Sequence, residues 1–223
     1  MTGSAREEIL GKLKRAPRRE PEARPLMPPL SERSLDREGM IKKFSDALFF
    51  QTATVHRVPD TGEALNRLTE IVRGEALRCV MASTDEVVTA LDLPAWAGEQ
   101  DIILRTPRDF ADREAFKESV FTEADAGITG VDFAVAETGT LGLIHDRNQA
   151  RLISLAPIFH IAIVPVDRFV PVYEDAIEKV FADAAKAPSQ FTFITGPSMT
   201  ADIQATPFRG MHGPRRLTVI IVG

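Results

Sequence analysis

GITGVDFAVAETGTLGLIHD, Gly127 to Asp146, is the stretch on which the fold turns. It holds three short apolar runs, GITG, DFAVA and TLGLIH, and a fourth, HIAIVP, opens at His160. Nothing between Ala126 and Val164 is long enough for a crossover helix, so these runs predict consecutive or antiparallel strands. Gly127 and Gly130 bracket a tight turn before DFAVA. Glu137-Thr138-Gly139-Thr140 then interrupts two apolar runs, placing a carboxylate, hydroxyls and flexible backbone where strands end. Strand ends are where open α/β sheets bind ligands, and glycine turns expose N–H groups to anions. The plainer alternative is a hairpin whose Glu137 is solvated or bonded to Thr138 and Thr140.

Working towards the N-terminus, the pattern changes to alternation. Met40, Ile41, Phe44, Ala47 and Leu48 follow helical spacing, and TATVHRV follows as a strand. Asp60 with Glu63 forms a capping box for a helix striped by Ala64, Leu65, Leu68, Ile71 and Val72 and closed at Gly74. RCVMA is a buried strand. Ser83 with Glu86 caps a short helix, DIIL is another strand, and Asp109 opens a helix carrying Phe110 and Phe116. Such alternation predicts an α/β fold, a mostly parallel sheet flanked by helices, with an antiparallel portion from Asp132 to Val164. At the front, Ser4 to Arg15 reads as an amphipathic helix. Pro17, Pro21, Pro25, Pro28 and Pro29 then make an extended linker. Residues 1–30 are thus expected as an arm, packed on their own body or on a neighbouring subunit, and 31–223 as the α/β domain.

Towards the C-terminus, a helix from Val172 to Lys186 leads to strand FTFIT. In TGPSMTADI, Gly196, Pro197 and Ser198 form a turn and the expected start of a helix. Ser198 or Thr200 would cap it, and Asp202 sits in its first turn. A helix start with exposed N–H groups suits an anion, though Asp202 can occupy that positive end itself. In GMHGPRR, His212 lies between glycines on a loop before the last strand, beside Arg215 and Arg216. His160 begins an apolar strand and reads as a hydrogen-bonded core histidine.

Composition narrows the function classes. The chain has 223 residues with 44% hydrophobic and 26% charged, ordinary for one globular domain. A net charge of -5 argues against general nucleic-acid binding. The lone Cys79 cannot hold an iron–sulfur cluster, which takes about four cysteines, and excludes a disulfide framework. No apolar stretch approaches the ~20 residues that cross a bilayer. Glu7 and Glu8 leave no apolar signal core, so a cytoplasmic location is expected. The chain has no glycine-rich dinucleotide loop, Walker loop, nucleophile elbow or HExxH pair, so an electron- or hydride-transferring enzyme complete in this chain is not expected.

Three segments together, GITGVDFAVAETGTLGLI, RLISLAPIFHIAIVP and ITGPSMTADIQATPFRGMHGPRRLTVIIV, resemble the lactate-utilization protein C pattern of the LUD-domain family. The similarity runs from near Asp125 to Val222; the N-terminal half matches in layout alone. QATPF, Gln204 to Phe208, and the polar Asp146-Arg147-Asn148-Gln149 depart from the pattern. The resemblance implies a fold related to ribose-5-phosphate isomerase, glucosamine-6-phosphate deaminase and CoA-transferases. It also implies a role beside two sister proteins in oxidising L-lactate to pyruvate, with the iron–sulfur clusters in a partner and no cofactor or metal here. A homo-oligomer stays open.

Three functions are compatible with these features. The first is a non-redox subunit binding a small carboxylate or phosphate-bearing ligand. The second is a CoA-transferase-like enzyme in which Glu137 attacks a thioester. The third is a non-catalytic anion-binding regulatory module. The expected cleft comprises Gly130, Glu137, Thr138, Gly139, Thr140, Gly196, Ser198, Thr200, His212 and Gly213. In it Glu137 would orient a ligand hydroxyl or act as acid/base, the Thr/Gly turns would bind an anion, His212 would be a secondary donor, and the three turns would meet around one pocket.

Overall fold

The computed structural model describes residues 5–17, 31–183, 187–200 and 208–223. Contacts separate Met1–Leu30 from Ser31–Gly223. The first unit holds α1 (Ala5–Arg15), in which Lys12 and Glu8 pair across one turn. The expected linker, apart from Pro17, lies outside the described residues.

The second unit opens with α2 (Arg37–Phe50), β1 (Thr54–Val58), α3 (Thr61–Gly74) and β2 (Cys79–Ala82). It continues with α4 (Glu86–Thr89), α5 (Leu93–Gln100), β3 (Ile103–Arg105) and α6 (Arg113–Thr122). Then come β4 (Ala126–Gly130), β5 (Phe133–Val135), β6 (Thr140–Ile144), α7 (Leu152–Leu155) and β7 (Phe159–Pro165). The chain closes with β8 (Phe169–Val170), α8 (Tyr173–Phe181), β9 (Phe191–Ile194), β10 (Met199–Thr200), β11 (Phe208–Arg209) and β12 (Arg216–Val222).

Six strands in the order β1-β12-β7-β4-β2-β3 form a sheet in which every neighbouring pair is parallel. Buried on both faces, such strands read as continuous apolar runs, as CVMA in β2 and FHIAIV in β7 do. The antiparallel portion is a sheet of its own, β8-β5-β6-β9, in which β6 runs against both β5 and β9. The GITG run therefore does not bracket a turn. It is β4, inside the parallel sheet beside β7, and the hairpin between them leaves for the second layer.

Each face of the large sheet has its own core. Ile128, Ile161, Ile163 and Ile220 pack with Leu68 and Trp96 under α3 and α5, where the Trp96 indole N–H donates to Thr69 Oγ1 at 2.9 Å. On the other face Ala162, Leu217, Val219 and Ile221 meet Leu141 and Leu143 of the second sheet, with Ile41, Phe44 and Leu48 of α2. The far side of the second sheet carries Phe133 and Val135, covered by Ala176 and Val180 of α8.

Helices α2, α3, α4 and α6 start at aspartates whose side chains cap them. Asp60 accepts from Glu63 N at 2.9 Å, which is one half of the expected capping box; the Glu63 carboxylate instead accepts from Asn66. Two starts differ from expectation. Asp85 caps α4 by accepting from Val87 and Val88, and Ser83 serves that cap by donating to Asp85 at 2.5 Å. Asp112 starts α6, while Asp109 closes a tight turn on Thr106. Of the expected Val172–Lys186 helix, Tyr173–Phe181 is helical and 184–186 lie outside the described residues.

Candidate binding site

The site lies where the two layers part. Strand alternation and the register Leu143↔Thr192 and Leu141↔Ile194 turn Thr192 and Ile194 of β9 to the same side as Leu143 and Leu141, facing the large sheet. Opposite them, His160 pairs in register with Leu217, near the starts of β7 and β12. Between these edges opens a cavity of about 290 Å³. Ser154 and Leu155 of α7, His160, Thr192 to Ser198, His212 to Pro214 and Leu217 line it. It is at the amino ends of the parallel strands, not at the carboxyl ends where such sheets usually bind ligands.

His160 is 1% exposed. Its Nε2 lies 2.8 Å from Thr129 Oγ1, and its Nδ1 has no hydrogen-bond partner. Burial pushes its pKa down to about 3, so the ring is neutral near pH 7. An unmet buried polar atom costs roughly 1–3 kcal/mol. His160 is among the residues lining the cavity, while its Nδ1 exposes almost no surface.

A second buried histidine stands behind the wall. His145 Nδ1 lies 3.2 Å from Gln149 O, and its Nε2 lies 2.7 Å from Thr192 Oγ1. Gln149 in turn donates from Nε2 to Gly130 O at 2.8 Å. A hydrogen-bonded chain thus links the carboxyl end of β4 with the cavity. Burial lowers the His145 pKa below the usual histidine value, which keeps that ring neutral too.

The three turns meet in part. Gly196 takes φ +108° where a Cβ would lie 2.7 Å from Gln51 Cβ, so only glycine fits without a shift. Ser198 N donates to Pro214 O at 2.8 Å, and Gly210 N donates to Ser198 O at 2.9 Å. The second and third turns are thereby locked together, and Gly196, Ser198, His212 and Gly213 share the cavity wall. The first turn touches it through hydroxyls: Thr138 Oγ1 lies 2.7 Å from Thr140 Oγ1, which lies 2.8 Å from Thr195 Oγ1. Gly139, at φ +67°, seats this turn against Ala47 and Leu48 of α2.

Other expected residues stand elsewhere. Gly130 ends β4 beside Asp85, whose Oδ2 accepts from its N–H at 3.1 Å. Glu137 is half-buried; its N–H donates to Pro171 O, and Tyr173 N–H at the start of α8 favours its charged form. Burial, reinforced by Glu174, raises the Glu137 pKa. Thr200 lies on β10 opposite Phe208. No helix begins at Ser198, because residues 199 and 200 pair as a strand; Asp202 and most of QATPF, 204–207, are outside the described residues.

Sequence reading passed over Ser154, Thr192 and His145. Thr192 carried a signal, as the polar residue alternating with phenylalanines in FTFIT. A larger hollow of about 600 Å³ lies along α6 and α7, with Asp112, Arg113, Glu114, Lys117 and Arg151 on its walls. Its charges are of both signs and no unpartnered buried polar atom lines it, so it defines no ligand. Among the described residues no group of three or more His, Cys, Asp or Glu is placed to hold a metal ion, and the thiol of Cys79 is buried.

Comparison with known proteins gives a consistent set of likenesses. The family model described as the LUD domain matches residues 41–222. A Deinococcus radiodurans protein named lactate utilization protein C is 31% identical over 225 residues, covering 100% of this chain and 97% of that protein. One of the same name from Oceanobacillus iheyensis is 40% identical over 103 residues, 45% of this chain and 44% of that protein. The crystal structure of a DUF162 family protein from Deinococcus radiodurans superposes with a TM-score of 0.63 at 27% identity. That superposition covers 85% of this chain and 99% of the other.

Proposed function

The chain belongs to the LUD-domain family, and from that membership we propose that it serves lactate utilization as a non-redox subunit of a system oxidising L-lactate to pyruvate. The observation that carries this reading is the end-to-end likeness to the Deinococcus radiodurans protein named lactate utilization protein C. Electron transfer falls to iron–sulfur partner proteins, because the chain's one cysteine cannot ligate a cluster that takes about four. The subunit works in the cytoplasm; no helix among the described residues is long and apolar enough to cross a membrane.

Its own task is to hold a small carboxylate in the cavity under His160. Thr195, Ser198 and His212 are among its lining residues and supply polar groups for the anionic end. The buried neutral ring of His160 meets the rest of the molecule.

Affinity purification of the tagged chain from its native host tests the assignment. A cysteine-rich iron–sulfur protein should co-purify, with absorption near 400 nm. Its absence both with and without crosslinking would overturn the subunit assignment.

A further inference from the structure

The hollow along α6 and α7, whose mixed charges define no ligand, adjoins a groove of about 460 Å³ that shares Phe121, Arg151 and Leu152 with it. Large apolar side chains line this groove and stay open to solvent. Phe121 is 60% exposed, Ile158 59% and Met211 61%. They come from three distant parts of the chain: α6, the segment before β7 and the segment before β12. Phe121 stands off the helix face that buries Phe116 and Val120, so the packing of α6 does not account for it. Exposed apolar residues scattered singly are ordinary, whereas three that converge on one hollow mark a surface made to be covered.

The groove is also one-sided in charge. Its lining includes Arg151 and Arg215 and no aspartate or glutamate. The next arginine, Arg216, is already engaged, pairing with Glu75 and lying over the Phe159 ring at 4.6 Å. Arg151 and Arg215 are exposed, and neither forms an ion pair among the described residues. Arg215 N donates to Ile158 O at 2.8 Å, and its stem fills the space that a Cβ on Gly210 would take, 2.0 Å from Cγ. The unpaired cation is thereby seated beside the apolar lining.

Such a surface fits a partner that brings its own apolar anchors and carboxylates. Helix α1 does not answer that description, since Arg6, Lys12, Lys14 and Arg15 outnumber Glu7 and Glu8. A second copy related by a two-fold axis would set the same arginines against each other. An iron–sulfur protein fits better, because a cluster held by thiolates adds net negative charge of its own. We propose that this groove docks an acidic, apolar-anchored surface of the iron–sulfur partner; the choice of occupant rests on the subunit reading given above. Leu155, His212 and Gly213 line both the groove and the cavity, so the docked partner stands next to whatever the cavity holds.

The test uses the cysteine-rich iron–sulfur protein that co-purifies with the tagged full chain, identified by peptide sequencing, separated, and titrated back by biolayer interferometry. Phe121→Ser, Met211→Ser and Arg215→Glu should each raise Kd about 10-fold or more. Phe50→Ser, at a phenylalanine more exposed still and outside the groove, should stay within about 3-fold of the wild type. The wild-type Kd should rise between about 50 and 300 mM NaCl, and less steeply in Arg215→Glu. Should Phe121→Ser lose the wild-type melting curve, Met211→Ser and Arg215→Glu carry the comparison. Unchanged Kd in the folded groove variants, or an equal loss in Phe50→Ser, would overturn the docking surface and leave the subunit assignment standing. If no iron–sulfur protein co-purifies with the wild type, the subunit assignment falls, and the occupant named here falls with it.

Discussion

Glu137 and His160 show how differently two polar side chains can use burial. Tyr173 N–H, at the start of α8, favours the charged form of the Glu137 carboxylate, and the preceding residue, Val172, supplies no side-chain cap. The carboxylate thus does the work of a remote helix cap, and its loss should cost what a cap costs. Glu137→Ala is expected to lower unfolding free energy by ~1 kcal/mol in urea titrations, and Glu137→Gln, which keeps an acceptor oxygen, by roughly half that. Glu137 lies outside the cavity lining, so neither variant should alter ligand binding there. A large loss of ligand affinity in Glu137→Gln, with stability intact, would contradict the capping role and return Glu137 to the site. His160, by contrast, keeps its ring neutral and one nitrogen unmet. Its burial was legible from the apolar run around it. The free nitrogen was not, because it depends on Thr129, thirty-one residues away in sequence and 2.8 Å away in space.

At the level of elements, close approach of backbones decides what sits where. Gly127 of β4 lies under α7, and a Cβ there would fall 1.8 Å from Ile153 O, a backbone atom that cannot swing aside. Gly127→Ala should therefore displace α7 and with it Ser154 and Leu155 of the cavity wall. We expect a loss of ~2–4 kcal/mol in urea unfolding, accompanied by loss of ligand heat. Gly74 is the matched control: it is helical, and a Cβ there meets nothing within 4 Å. Gly74→Ala should leave binding alone and hold or raise stability by up to ~1 kcal/mol. A neutral Gly127→Ala would show that α7 does not rest on β4. The strands and the α3 cap were readable because apolar period and capping chemistry are local. The two-residue strand at Met199 was not: SMT after Gly-Pro has the local signature of a helix start, and only pairing with Phe208 and Arg209 makes it extended. The short α5 was missed for a related reason, since Pro94 and Gly98 mask a helix held by buried Leu93, Trp96 and Ala97.

For the molecule as a whole, buried ionisable groups set the response to acid. An unfolded histidine takes up a proton near 6.5, whereas folded His160 does not until about 3. Acid therefore favours the unfolded chain, and this ring removes up to ~5 kcal/mol of stability as pH falls from 6.5 towards 3. His145, lowered by the same burial, acts in the same direction. Asp132 acts against them. Burial raises its pKa to about 6 from 3.8, so the folded state takes up that proton first and gains stability as pH falls between those values. The gain is ~2–3 kcal/mol before discounting for partial exposure. Urea midpoints should thus change little between about pH 6 and 4 and fall steeply below. In Asp132→Asn the fall should begin near pH 6; a variant that tracks the wild type throughout would remove Asp132 from this balance. A mostly parallel sheet and its flanking helices were foreseeable from alternation, whereas the separation of the antiparallel strands into a second sheet was not. Which end of the sheet opens was not, because the opening depends on where a second sheet happens to part from the first.

The imidazole of His145 connects Gly130 of the large sheet, through Gln149, with Thr192 of the small one. It works as a spacer of constant width between two slabs, and the orientation of a single hydroxyl proton depends on it. Prising the slabs apart, even by repacking far from the cavity, would break the contact with Thr192 and leave a buried imidazole nitrogen unmet.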